Sequence, residues 1–440
     1  MRLCATGGLI MKSIKRIGAI LLTLAMVLTL GVVAFADDET AATGSAVVNG
    51  TVTQDSEVVS IKKEIVFVNA ESTTVREPNL TYTYTLTAAT GVTATVKDSA
   101  GLSATVKDGV AAAIADGTDT VVFKDTVTAS ATSGGTPAVK YADFEFDESV
   151  FAAPGIYRYI ITETVSPTKA SVGVTESGTY NNVRYLDVYV QKTDASLPAA
   201  AGNMKIYGYV LYEDATGLED VSFNGYTGEE TNLAKKSAGF DSASVGYDVY
   251  ETENLYVSKT TGGVLGDKGH DFPVSLAFTA PSGVTAPKLD VAVSGNGVLN
   301  SVLTDTVGNY LVLGTLTGTV RDGSTLTIKG VPVNSTVVLT ETNDSPDSYT
   351  VHMTKSVNGA AASDIYASAI VAASGSAAAS SVTLSSKVEI AVDNTLDAIS
   401  PTGYAERFAP FAILVMMGLV MFLVARKFND SDDKRRISVK

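Results

Sequence analysis

Apolar and polar residues alternate through most of the chain. Leu80-Thr81-Tyr82-Thr83-Tyr84-Thr85-Leu86, Tyr157-Arg158-Tyr159-Ile160-Ile161-Thr162-Glu163 and Leu186-Asp187-Val188-Tyr189-Val190 are period-2 runs rich in β-branched and aromatic side chains. Such runs predict half-buried strands. Helical candidates are few. The Ala/Ser-rich stretch from Ala360 to Ser380 has helix formers but many Ser and Gly, and reads as a mobile loop. With strands punctuated by Gly, Asn, Asp and Pro, the pattern predicts an all-β sandwich architecture. It also repeats coarsely. A Lys-bearing apolar strand opens each half, at Ser60-Ile61-Lys62-Lys63-Glu64-Ile65-Val66-Phe67 and at Asn254-Leu255-Tyr256-Val257-Ser258-Lys259. Later in each half a strand ends in Thr-Glu-Thr, at Thr162 to Thr164 and at Thr340 to Thr342. Two tandem domains follow, 59–247 and 248–398, with the boundary near Tyr247 to Glu253; residues 37–58 read as a flexible lead-in.

The two ends differ in kind from this middle. Met11-Lys12-Ser13-Ile14-Lys15-Arg16, the apolar run Ile17 to Phe35 and the small-x-small site Ala34-Phe35-Ala36 have the form of a secretory signal peptide, residues 1–36, cleaved after Ala36. Residues 399–440 hold a second apolar run, Phe408 to Ala425, followed at once by Arg426-Lys427. That predicts a transmembrane helix with its basic flank in the cytoplasm. Ile399-Ser400-Pro401-Thr402-Gly403 precedes the run. The order of pentapeptide, span and basic tail resembles the cell-wall sorting signal of Gram-positive surface proteins, which sortase cleaves between Thr and Gly. The resemblance implies a break between Thr402 and Gly403, although Ile stands for the usual Leu and the Pro is displaced by one position. A plain C-terminal membrane anchor is the alternative. Either way the body is displayed outside the cell.

Charge and cysteine content narrow the chemistry. The formal net charge is −15, and the two ends carry +4 and +3, which leaves about −22 on residues 37–402. An acidic body argues against nucleic acid as a partner. The only cysteine, Cys4, falls in the leader. The mature body then has no disulfide, zinc–thiolate site or cysteine nucleophile. His270 and His352 are the only histidines, and no metal or other cofactor is expected. No Gly-x-Ser-x-Gly, His-Glu-x-x-His or phosphate-cradling loop is present, so no turnover enzyme is expected either.

Period 2 sets the candidate site. Leu255, Val257 and Lys259 share a face, as do Val337, Leu339 and Glu341, and Ile390, Val392 and Asn394. A lysine, a glutamate and an asparagine therefore point inward with the apolar residues. Buried charges must pair, neutralise or react. Burial lowers the pKa of Lys and raises that of Glu, so a neutral amine can attack the Asn amide while the carboxyl moves protons and ammonia leaves. The product is an isopeptide bond, formed once per molecule.

At these residues the chain resembles the streptococcal pilin-type isopeptide domains. The echoes are Asn254 to Lys259, the Gly262-Gly263 turn leading to Phe272, Pro154-Gly155-Ile156-Tyr157-Arg158-Tyr159 before Glu163, and Asn394-Thr395 ahead of the sorting signal. The resemblance covers roughly residues 58–403. It implies tandem immunoglobulin-like sandwiches of the pilin type, with Lys259 as bond-forming amine, Asn394 as amide and Glu341 as catalytic acid. In the first domain Lys63 shares a face with Ile61, Ile65 and Phe67, and Glu163 with Tyr159 and Ile161. Its partner is left open between Asn224 and Asp241, as is whether a bond forms. A pilin would also need a surface lysine that attacks the sortase-bound Thr402 of the next subunit, for which Lys235 and Lys236 are candidates. The partners implied are sortase and either peptidoglycan or neighbouring subunits. The alternative is a singly displayed adhesin that binds a host protein or glycan through its loops.

Overall fold

In a computed structural model of the chain, residues 41, 46–47, 56–97, 103–130, 135–215, 236–241, 246–285, 288–299, 303–305, 308–397 and 412–427 are described. The opening strand, Val58–Asn69, shows how the alternation folds. Val59, Ile61, Ile65 and Phe67 are buried, and Lys63 is on their face, also buried. This strand belongs to a 14-stranded sheet that runs through both halves of the molecule. Opposite it in the first half lies a second sheet of seven strands, with Gly155–Ser166 between Leu80–Ala88 and Val183–Lys192. In the second half a six-stranded sheet covers the large one, with Phe272–Thr279 beside Thr336–Thr342. Each pair of facing sheets encloses its own apolar core. The fold is all-β, as the alternation predicts.

One strand serves both halves. Gly246–Gly262 is 17 residues long. Its first part pairs in parallel with the opening strand, from Asp248 opposite Ile65 to Thr252 opposite Asn69. Its second part pairs in parallel with Val388–Thr395 and antiparallel with Thr325–Pro332. The register shifts between Glu253 and Leu255. Such a bulge inserts one residue and so exchanges the inward and outward parity. Asp248 and Tyr250 are therefore buried before it, and Leu255, Val257 and Lys259 after it. The boundary expected near Tyr247 to Glu253 falls inside this continuous strand.

Two local expectations are corrected. The Ala360 to Ser380 stretch is not a loop: Ser363–Val371 pairs with Tyr349–Val357, and Ser376–Ala378 pairs with Thr336–Thr342. Cross-strand bonding and burial of Ile365, Val371 and Ala377 supply the order that a window rich in Ala and Ser does not signal locally. Within the lead-in, Ala46–Val47 pairs in parallel with Val59 and Ser60. The C-terminal apolar run is helical over 412–427. Among the described residues no helix is long and apolar enough to cross a membrane. The signal peptide with Ala36, the sorting pentapeptide with Thr402 and Gly403, Asn224 and Lys235 all lie outside the described residues.

Candidate functional site

In the second half the large sheet supplies two of the three groups and the facing sheet the third. Lys259 sits opposite Val392 on the neighbouring parallel strand, and Asn394 lies two residues further on, opposite Thr261. Glu341 comes from the covering sheet, opposite Val274. All three side chains are buried to within 1%. Lys259 Nζ lies 2.9 Å from Glu341 Oε2. Asn394 Nδ2 donates to Glu341 Oε1 at 2.7 Å. The carboxyl therefore sits between amine and amide, one oxygen to each.

Burial holds the Lys259 pKa below the usual lysine value, against the opposing pull of Glu341. The ring of Phe272 lies 4.5 Å from Nζ and closes the apolar side. Lys259 Nζ, Glu341 Oε2 and Asn394 Oδ1 have no well-aligned hydrogen bond, although the first two are in ion-pair contact. Buried polar atoms left in this state cost free energy. A carboxyl in contact with both an amine and an amide can exchange protons with either.

The first half repeats this geometry with one substitution. Lys63 would stand opposite Gly246 in the register that pairs Ile65 with Asp248. Asp248 thus lies two residues past the lysine's partner, as Asn394 does in the second half. Lys63 Nζ is 2.6 Å from Asp248 Oδ2 and 3.1 Å from Glu163 Oε2, and all three residues are buried. Tyr82 OH donates to Asp248 Oδ2 and Tyr84 OH to Glu163 Oε2, each at 2.7 Å. Tyr180 OH donates to Glu163 Oε1 and accepts from Lys63 Nζ. Burial and the two carboxylates push the phenols of Tyr82 and Tyr180 far up, so both remain donors. Tyr82 also takes the place of Phe272, its ring 4.1 Å from Lys63 Nζ.

Asp241 does not occupy this position. Gly239–Phe240 does pair in parallel with the opening strand, Gly239 beside Lys62. The approach is close enough that a Cβ on residue 239 would come 2.2 Å from the Lys62 carbonyl oxygen, which requires glycine. But Asp241 meets Lys62 at 2.6 Å, and Lys62 points to the face opposite Lys63. Sequence reasoning missed Asp248 because it lies within the expected domain boundary. The signal was present in the alternating Asp248-Val249-Tyr250 run, 11 residues before Lys259. Lys236 bridges Tyr212 at the margin of the seven-stranded sheet. His270 and His352 each meet an aspartate near the surface, Asp344 at 2.7 Å and Asp364 at 2.8 Å.

Residues 253–380 match the family model described as a domain of unknown function (DUF7601). No curated protein matches the chain. Among solved structures it is similar to the major pilin from Streptococcus pyogenes, 18% identical over 77% of this chain and 99% of that one, with TM-score 0.36. The T3.2 major pilin protein of the same species is 16% identical over 79% and 99%, with TM-score 0.36. A bacterial adhesin from Mobiluncus mulieris, whose structure contains intramolecular disulfide, isopeptide and ester bond cross-links, is 10% identical over 77% and 98%, with TM-score 0.21.

Proposed function

We propose that the chain is a structural protein of the cell surface, a pilin-like subunit or wall-anchored stalk, whose two sandwiches are each closed by an intramolecular amide bond. The carrying observation is the buried contact of Lys259, Glu341 and Asn394. The same register is repeated at Lys63, Glu163 and Asp248. In the second half Lys259 Nζ bonds to Asn394 Cγ and ammonia leaves. In the first, Lys63 Nζ bonds to Asp248 Cγ and water leaves. Glu341 and Glu163 act once per molecule as proton carriers, with no cofactor.

Each bond would tie the strand that opens a sandwich to the one that closes it. Asp248 and Lys259 share the strand Gly246–Gly262. Tension along the chain would then pass from bond to bond through that strand without loading the ladder hydrogen bonds of either core. This reading carries the terminal segments with it: export with cleavage after Ala36, sortase cleavage between Thr402 and Gly403, and transfer to peptidoglycan or to a neighbouring subunit. The test is the intact mass of the mature protein. Loss of one ammonia and one water is expected, with the ammonia retained in Glu341→Ala. A mature mass equal to the unmodified sequence would overturn the reading.

A further inference from the structure

The two sites share a register but not a charge count. The second holds one amine, one carboxyl and one amide, and among the described residues the ion pair of Glu341 is to Lys259. The first holds two carboxyls, Glu163 and Asp248, in a region no more than 2% exposed. A single amine would leave one buried negative charge without a counterpart, which is strongly destabilising. A second lysine supplies it. Lys169 opens a short 3-10 turn, Lys169–Val172, and is 8% exposed. Its Nζ lies 2.8 Å from Asp248 Oδ1 and 3.6 Å from Glu163 Oε1.

Two amines therefore flank one carboxylate, Lys63 at Oδ2 and Lys169 at Oδ1. Their surroundings separate their roles. Lys169 also meets Glu176 at 3.0 Å, and its Nζ stands over the Tyr180 ring at 3.2 Å from the centroid. One is an ion pair and the other a cation–π contact, and both lie on the outer side of the site. Among the described residues Lys63 has no such outer partner; it meets the two buried carboxyls, Tyr82 and Tyr180, with the ring of Phe240 beyond them.

We infer that Lys169 is a positioning residue, the permanent counter-ion that lets an aspartate replace asparagine in the first site and that fixes Asp248 for attack by Lys63. The inference rests on the cross-linking reading above. The reaction balances without it being consumed. Lys63 Nζ forms the bond to Asp248 Cγ, one Cγ–Oδ bond breaks, and two protons of the Lys63 ammonium leave with that oxygen as water, one of them relayed through Glu163. One ammonium and one carboxylate vanish together. The Lys169 ammonium and the Glu163 carboxylate remain as a neutral pair.

The test uses intact mass and a time course of closure in the full mature chain. Lys169→Met should slow water loss at the first site by at least about tenfold, because it strands a buried carboxylate, while ammonia loss at the second site continues. Lys169→Arg should close at nearly the wild-type rate. The decisive variant is Lys169→Met with Asp248→Asn, which gives the first site the composition of the second. It should close again, now losing ammonia in place of water. Closure of Lys169→Met at the wild-type rate overturns the inference, as does a double variant that stays open or fails to fold. If the wild-type chain itself loses no water, it is the cross-link at the first site that fails, a different outcome from any of these.

Discussion

Lys62 and Lys63 are adjacent in sequence and lie on opposite faces of one strand, and their acidic partners divide accordingly. Asp241 pairs with Lys62 and Asp248 with Lys63. Alternation alone distinguished the two lysines, since Ile61, Ile65 and Phe67 mark the inward parity. It could not choose the partner, because that choice depends on which distant strand is laid beside the first and in what register. The assignment predicts that Asp241→Asn leaves the loss of water intact in the mass spectrum, whereas Asp248→Ala abolishes it. For the second site, Glu341→Ala should retain ammonia and lower stability. A cross-link closing the loop from residue 259 to 394 contributes roughly 5 kcal/mol in the chain-entropy treatment. Urea unfolding of the variant beside the wild type measures the difference.

At the scale of the element, the strand Gly246–Gly262 carries the most information per residue. It presents one acceptor to the first core and one amine to the second, and the bulge between Glu253 and Leu255 makes both inward. Glu253 is the cost of that arrangement. Its Oε2 is buried without a hydrogen-bond partner among the described residues, and burial, with Glu71 and Glu251 nearby, pushes its pKa up to about 7. The folded state therefore holds this proton more tightly than the unfolded chain, whose ordinary value is 4.5. The stabilisation linked to it is present below pH 4.5 and is lost as pH rises through about 7. Glu253→Gln should raise the melting temperature at pH 8 and leave it nearly unchanged at pH 4.5, with the increment fading between those limits. Equal increments at both pH values would contradict the assignment. The bulge itself left no mark in the hydrophobic pattern, where Glu253-Asn254-Leu255 reads as one continuous strand.

At the scale of the whole molecule, two separate cores are joined through one sheet, and the proposed bonds would carry load from one to the other. A Glu163→Ala, Glu341→Ala chain should lose both condensations, melt at lower temperature and be cut by trypsin under conditions that leave the wild type intact. If the chain polymerises, the wall fraction should show a ladder of covalent multimers on SDS gels, absent when Lys235 and Lys236 are both replaced by Ala. A single wall-linked band would favour an adhesin displayed alone.

Local pattern determined the class of fold, the two-part repeat, the inward parity of Lys63, Glu163, Lys259, Glu341 and Asn394, and the contrast between an acidic middle and basic ends. These are properties of neighbouring residues: the two-residue period of a strand and the sum of charges need no long-range contact. Tertiary structure decided the rest. It set Asp248 against Lys63, turned Asp241 to the other face, brought Lys169 in from a separate turn and ordered the Ala360 to Ser380 stretch by pairing it with Tyr349–Val357 and Thr336–Thr342. Parallel pairing joins strands far apart in sequence, and its register is fixed by the packing of whole cores, which no short window contains.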